Sequence, residues 1–310
     1  MMSLSDIFIN ALMKLDGFTE ENILKAINLA NNDIVETLDD FIDFINFNIE
    51  DNRFTNITHP FKDSLIKKVV EKTIINEDNI VHYANATDEQ FPKKIFSEQV
   101  EGISLLKYKG NLDNLKRNTI LITGSPTVSG DARLASEYIG KVLAINGYNI
   151  LSSLSNECEQ NAIKGCKNAM GKSTFYLPHS IEHLTSKEKE VIKHELDKER
   201  SLIISADNNT LANTRTIENA YKYATAFADC MIIPQISSED YFMSYVETYM
   251  ALDKPVFLVK YKSKTNKEYD CIRKLESLGV MYLSSDTIYK QIKDTIGTAI
   301  VDDPDELTLV

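Results

Sequence analysis

Apolar residues at the front of the chain recur at three- and four-residue steps, in Ile7, Leu12 and Leu15 and again in Ile23, Ile27 and Ala30, which places them on one face of a helix. Thr19-Glu20-Glu21-Asn22 reads as a helix start, and the spacing predicts further helices over 33–46 and 61–75, separated by His59-Pro60. A short apolar piece, Ile80 to Tyr83, leads into an irregular connector. From Thr119 the period changes. Short β-rich runs at 119–123, 148–153, 173–177, 201–205, 230–234, 255–260 and 280–285 alternate with helical patterns near 131–146, 157–170, 186–198, 213–227, 240–252 and 267–277, and a last helix follows near 286–300. Such alternation predicts an α/β fold, a doubly wound and mainly parallel Rossmann-like sheet with helices on both faces, preceded by a small helical N-terminal domain. Continuous apolar runs such as CMII and VFLV fit strands buried on both sides. The expected division is a helical domain over 1–78, a connector with a basic cluster over 79–118, the Rossmann-like domain over 119–300 and an acidic tail over 301–310.

Composition narrows the class. The chain is 43% hydrophobic and 26% charged, as a globular protein is, and no stretch approaches the roughly 20 consecutive apolar residues of a membrane span. The front end carries Asp6 and no basic leader, and the four cysteines show neither a C-x-x-C pair nor zinc-finger spacing, so a cytoplasmic protein with reduced thiols is expected. Acids outnumber bases 46 to 34, for a formal charge of −12, which opposes binding to nucleic acid through charge alone. The bases are clustered, however, with Lys107, Lys109, Lys116 and Arg117 together just before the parallel-sheet region.

Open parallel sheets bind ligands beyond the carboxyl ends of their strands. The first strand of this region ends in Gly124-Ser125-Pro126-Thr127-Val128-Ser129-Gly130, directly before a helix. Gly124 permits a tight turn, Ser125 and Ser129 can donate to phosphate, and a helix N-terminus favours an anion. The pattern is neither G-x-G-x-x-G nor the lysine-bearing P-loop. His179, Glu182 and His183 have a spacing that two zinc ligands could use, but no H-E-x-x-H order is present and no metal or cofactor is expected. No nucleophile-base set stands at the strand ends, and the expectation is a binding protein rather than an enzyme.

The run LLKYKGNLDNL (105–115), followed by NTILITGSPTVSGDARLASEYIGKVLAINGYNILSSLSNECEQNAIKG, resembles the DNA-processing family (DprA/Smf). In that family a leucine-x-x-Lys-Gly-Asn-Leu phrase precedes a strand ending in Gly-Ser-Arg, with a serine three residues on, and a second strand ends in Ser-Gly. The likeness extends over about 80–285, and Leu15-Asp16-Gly17-Phe18 is similar to the family's helix-hairpin-helix-like front end. The family's arginine after Gly-Ser is Pro126 here, its Ser-Gly becomes Ser152-Ser153, its following Asp and His become Glu159 and Ile163, and its Arg-Asn-Arg run is Asn213-Thr214-Arg215. Its C-terminal winged-helix unit has no expected counterpart.

The resemblance implies a protein that binds single-stranded DNA and hands it to a recombinase during DNA uptake and transformation, working as a homodimer. Its phosphate or nucleic-acid contacts would come from Gly124, Ser125, Ser129, Ser153 and Arg215, with Lys107 and Lys109 as a basic rim. Tyr108, Tyr221, Tyr223, Tyr241 and Phe242 are compatible with base stacking, although the Tyr221/Tyr223 pair fits helix packing better. The alternative is a sensor or hydrolase of a small nucleotide using the same loop. Against hydrolysis, Ile233-Pro234-Gln235-Ile236-Ser237-Ser238 lacks the glycines of the nucleotide-cleaving phosphoribohydrolases.

Overall fold

The computed structural model describes residues 5–30, 35–75, 82–85, 105–125, 128–196, 199–205, 211–236, 241–261 and 266–299. The expected acidic tail over 301–310 lies outside the described residues. The chain divides into two compact units, one of residues 1–86 with 104–109 and the other of 87–103 with 110–310.

The first unit is the helical front end, with α1 (Asp6–Leu12), α2 (Glu20–Ala30), α3 (Leu38–Glu50) and α4 (Asp63–Ile75). Helix α3 starts later than the sequence pattern over 33–46 suggests, because Thr37 and Asp40 form a reciprocal capping box that fixes its first turn. Phe8 stacks on Phe41 at 4.3 Å between ring centres, in a core shared with Leu12, Ile23, Ile45 and Ile66. Strand β1 (His82–Asn85) pairs antiparallel with β2 (Leu105–Gly110), Asn85 opposite Leu105. That second strand lies in the segment expected as an irregular connector. The sequence alternates only over Leu106-Lys107-Tyr108-Lys109, and burial does not follow that alternation, since the consecutive Leu106 and Lys107 are both buried.

The second unit contains the parallel sheet. Its strands are β3 (Thr119–Ile122), β4 (Asn149–Ser152), β5 (Lys172–Tyr176), β6 (Ser201–Ser205), β7 (Cys230–Ile233), β8 (Val256–Val259) and β9 (Met281–Leu283). Among the described residues they lie in the order β6-β5-β4-β3-β7-β8-β9, with every neighbouring pair parallel. This is the doubly wound α/β arrangement expected from the alternation. The connecting helices are α5 (Gly130–Ile145), α6 (Glu157–Asn168), α7 (Ser186–Leu196), α8 (Thr214–Phe227), α9 (Tyr241–Met250) and α10 (Asn266–Ser277), and α11 (Ile288–Ile296) ends the series. For this strand order the usual right-handed crossovers place α5 to α7 on one face and α8 to α10 on the other. Strand β3 is central and wholly apolar after its first residue, with Ile120, Leu121 and Ile122 buried. No helix among the described residues is long and apolar enough to cross a membrane.

Candidate nucleic-acid interface

Connections leave β3 in opposite directions, to β4 on one side and, through the later strands, to β7 on the other, so the switch point of the sheet lies between the carboxyl ends of β3 and β7. The two ends are stitched together. Thr123 N–H donates to the Ile232 carbonyl at 3.0 Å and Ser125 N–H to the Gln235 carbonyl at 3.1 Å. A side chain at position 124 would begin 2.5 Å from that Gln235 carbonyl, so the approach requires Gly124. Ser125, three residues beyond the strand, is buried. Ser129 caps α5 by accepting from the Ala132 N–H, and both its own N–H and its hydroxyl donate to the Gln235 side-chain oxygen, each at 2.9 Å. An amide oxygen of the chain thus sits where an anion would sit. Cys158 also borders Gly124, and burial pushes its thiol pKa up to about 11, which keeps it protonated and unreactive.

Two carboxylates fill the neighbouring space. Glu159 is fully buried and accepts from the Thr123 hydroxyl at 2.8 Å, the Ser152 hydroxyl at 3.2 Å, the Ser153 N–H at 2.6 Å, the Ser153 hydroxyl at 2.7 Å and the Asn156 amide at 2.8 Å. Both donors of Ser153 therefore serve an internal carboxylate. Glu157, half-buried at the start of α6, accepts from the Val128 N–H at 3.2 Å and from Arg133 Nε at 3.1 Å.

Arg215 stands apart from this cluster. Asn213 and Thr216 form a capping box that fixes the first turn of α8, leaving Arg215 exposed and without an ion pair among the described residues. Its helix follows β6, three strands from β3, or about 14 Å at the usual strand spacing. Ser125 and Arg215 both belong to the carboxyl edge of the parallel sheet, on connections that leave β3 and β6. Lys107 and Lys109 lie on β2 in the first unit, the former buried and the latter half-buried.

Tyr221 and Tyr223 are buried, and Tyr221 stacks on Tyr245 at 3.9 Å, so this pair packs α8 rather than offering faces to bases. The side chains of Tyr241 and Phe242 lie outside the described residues. His179 and His183 do not share a helix face. His179 is paired with Glu188 at 3.1 Å, and no group able to hold a metal occurs among the described residues. Arg133, Glu157 and Gln235 escaped the sequence reading. So did the basic run Lys260-Tyr261-Lys262-Ser263-Lys264-Thr265-Asn266-Lys267, whose four lysines directly after the apolar VFLV were a usable signal.

The sequence model of the DNA recombination-mediator protein A family matches residues 82–293, which includes all seven parallel strands. The chain belongs to this family. Its structure is similar to DNA processing protein A from Streptococcus pneumoniae, with 18% identity and a TM-score of 0.61 over 94% of this chain and 98% of that one. It is also similar to DNA processing protein A from Helicobacter pylori, with 18% identity and a TM-score of 0.58 over 69% of this chain and 97% of that one. At that identity the likeness is one of fold. No curated protein sequence matches the chain. Within the family's frame the resemblance placed an arginine at what is Pro126 here, and that position lies outside the described residues.

Proposed function

We propose that this chain binds single-stranded DNA along the carboxyl edge of its parallel sheet and acts as a recombination mediator. The family match over 82–293 carries the reading. The solved Helicobacter pylori relative is described by its single-stranded DNA binding mode, which supports it. Arg215, exposed at the start of α8 and without an ion pair among the described residues, supplies a phosphate contact at that edge. The finer picture is a homodimer that delivers DNA taken up by the cell to a recombinase. Gly124, Ser125, Ser129 and Ser153 then shape the edge, and of the two lysines on β2 it is the half-buried Lys109, not the buried Lys107, that adds positive charge. A small nucleotide bound in the Gly124–Ser125 loop fits less well, because the Gln235 side chain already takes the donors of Ser129.

The test is a fluorescence-anisotropy titration of a single-stranded oligonucleotide, a duplex and a mononucleotide panel at two salt concentrations. The oligonucleotide is expected to bind most tightly. Arg215→Ala should weaken it by about 1 kcal/mol, the upper value for an exposed charge pair, and flatten the slope of log affinity against log salt by up to roughly 0.7. Tight mononucleotide binding with no oligonucleotide affinity would refute the reading.

A further inference from the structure

The Arg133–Glu157 pair lies at the edge just described, and its geometry is that of a phosphate contact made to the chain's own carboxylate. One oxygen of Glu157 takes both the Val128 N–H and Arg133 Nε, while Arg133 Nη2 donates to the Val128 carbonyl at 3.2 Å and braces the guanidinium against the loop. A backbone N–H beside a guanidinium is a donor set that phosphate oxygens accept as readily as a carboxylate does. The pair is far from sealed, with the Arg133 side chain 49% and the Glu157 side chain 36% exposed. An ion pair so open to water is weak, and a phosphate can replace its carboxylate at small cost.

Two further observations point to a ligand here. Tyr261 packs against Val128, Ala132 and Cys158 at the same loop, and its hydroxyl oxygen is enclosed without a hydrogen-bond partner among the described residues. It also follows Lys260, so the chain's densest basic run starts beside this loop in a protein whose formal charge is −12.

We propose that the Glu157 carboxylate is a built-in competitor for a phosphate of bound single-stranded DNA, holding Arg133 and the Val128 N–H until that phosphate displaces it. This rests on the DNA-binding reading. Arg133 then supplies the guanidinium for which position 126 has only proline. The internal carboxylate lowers affinity for any isolated anion while leaving a polyanion, anchored elsewhere along the edge, able to take its place.

The experiment compares the full-length chain with Glu157→Gln, Arg133→Ala and the double variant, using a single-stranded oligonucleotide and, separately, inorganic phosphate, with thermal melts to check folding. Glu157→Gln is expected to tighten oligonucleotide binding roughly fivefold, the upper range for one exposed charge pair. Arg133→Ala should weaken binding, and in the double variant most of the gain should disappear, since of the two donors that Glu157 holds only the arginine carries a charge. Unchanged or weaker binding by a normally folded Glu157→Gln variant overturns the proposal, as does a gain that persists in full without Arg133. A gain for inorganic phosphate alone overturns it too, by showing a small-anion site rather than a DNA contact. If the unaltered chain binds no single-stranded DNA, the functional reading fails and this inference with it, whereas normal DNA binding with silent variants sinks only the inference.

Discussion

His82 Nδ1 lies 2.6 Å from the Asp6 carboxylate, and that hydrogen bond, opposed by partial burial, raises the histidine pKa above its ordinary value. A raised folded pKa gives stability that is complete below the unfolded value and is lost as pH climbs through the folded one. The helical front end should therefore lose thermal stability from about pH 6.5 upward, relative to a His82→Asn variant, in paired melting curves. Equal pH dependence of the two proteins would contradict this. Glu188 has the opposite sign. Burial works to raise its pKa, but the His179 ring, the Thr185 hydroxyl and the Thr185 N–H together lower it to about 2. Its contribution is complete above the unfolded value of about 4.5 and disappears as pH falls towards 2, so Glu188→Gln should flatten the acid limb of the stability profile in that window. At this scale the sequence showed the turn residues Gly124, Ser125 and Ser129, because a strand-to-helix junction is a local pattern. It could not show the partners that occupy them. Ser129 and Gln235 are 106 positions apart and Arg133 and Glu157 are 24 apart, and periodicity records spacing along one element, not across a crevice.

Helices α5 and α6 cross with their backbones almost touching. A Cβ at Gly165 would begin 1.9 Å from the Glu137 carbonyl, and one at Gly140 would begin 2.2 Å from the Ala162 carbonyl. Neither obstacle is a flexible side-chain tip, so both helices must part to admit a methyl group. Gly165→Ala is expected to cost about 1–3 kcal/mol in denaturant unfolding. Gly130, at the start of α5, meets nothing within 4 Å, and its alanine variant should be neutral or stabilising by up to about 1 kcal/mol. A Gly165 variant no less stable than the Gly130 one would show that the crossing is looser than these distances state. Element types and their order from β3 onward were legible because most of the strands, such as CMII and VFLV, are short apolar blocks and the helices between them have periodic faces. Strand β2 was not, and neither was the 3-10 turn Leu112–Lys116, whose Asn114 amide reaches across to the Ser173 and Arg200 carbonyls at 2.9 and 3.0 Å.

Those contacts of Asn114 bear on where the larger unit begins. A fragment starting at Gly110 retains them together with buried Leu115, whereas one starting at Thr119 loses them. Both are expected to fold, with the shorter less stable by about 1–3 kcal/mol in denaturant titrations. Equal stability would place the boundary at Thr119, as the change in periodicity suggests. For the whole chain, sedimentation at micromolar concentration is expected to show a species of twice the chain mass, and a single species at the chain mass would remove the homodimer from the proposal. The central place of β3 also matters while the protein is being made. Ile122 pairs with Ile232, and Thr119 N–H with the Asp229 carboxylate 110 residues later, so the β7 side of β3 has no mate until most of the chain has been synthesised. At roughly 5–20 residues per second that is an interval of about 5–20 seconds, during which the edge of a four-residue, mostly apolar strand leaves the ribosome with nothing to pair with except a chaperone or another nascent chain.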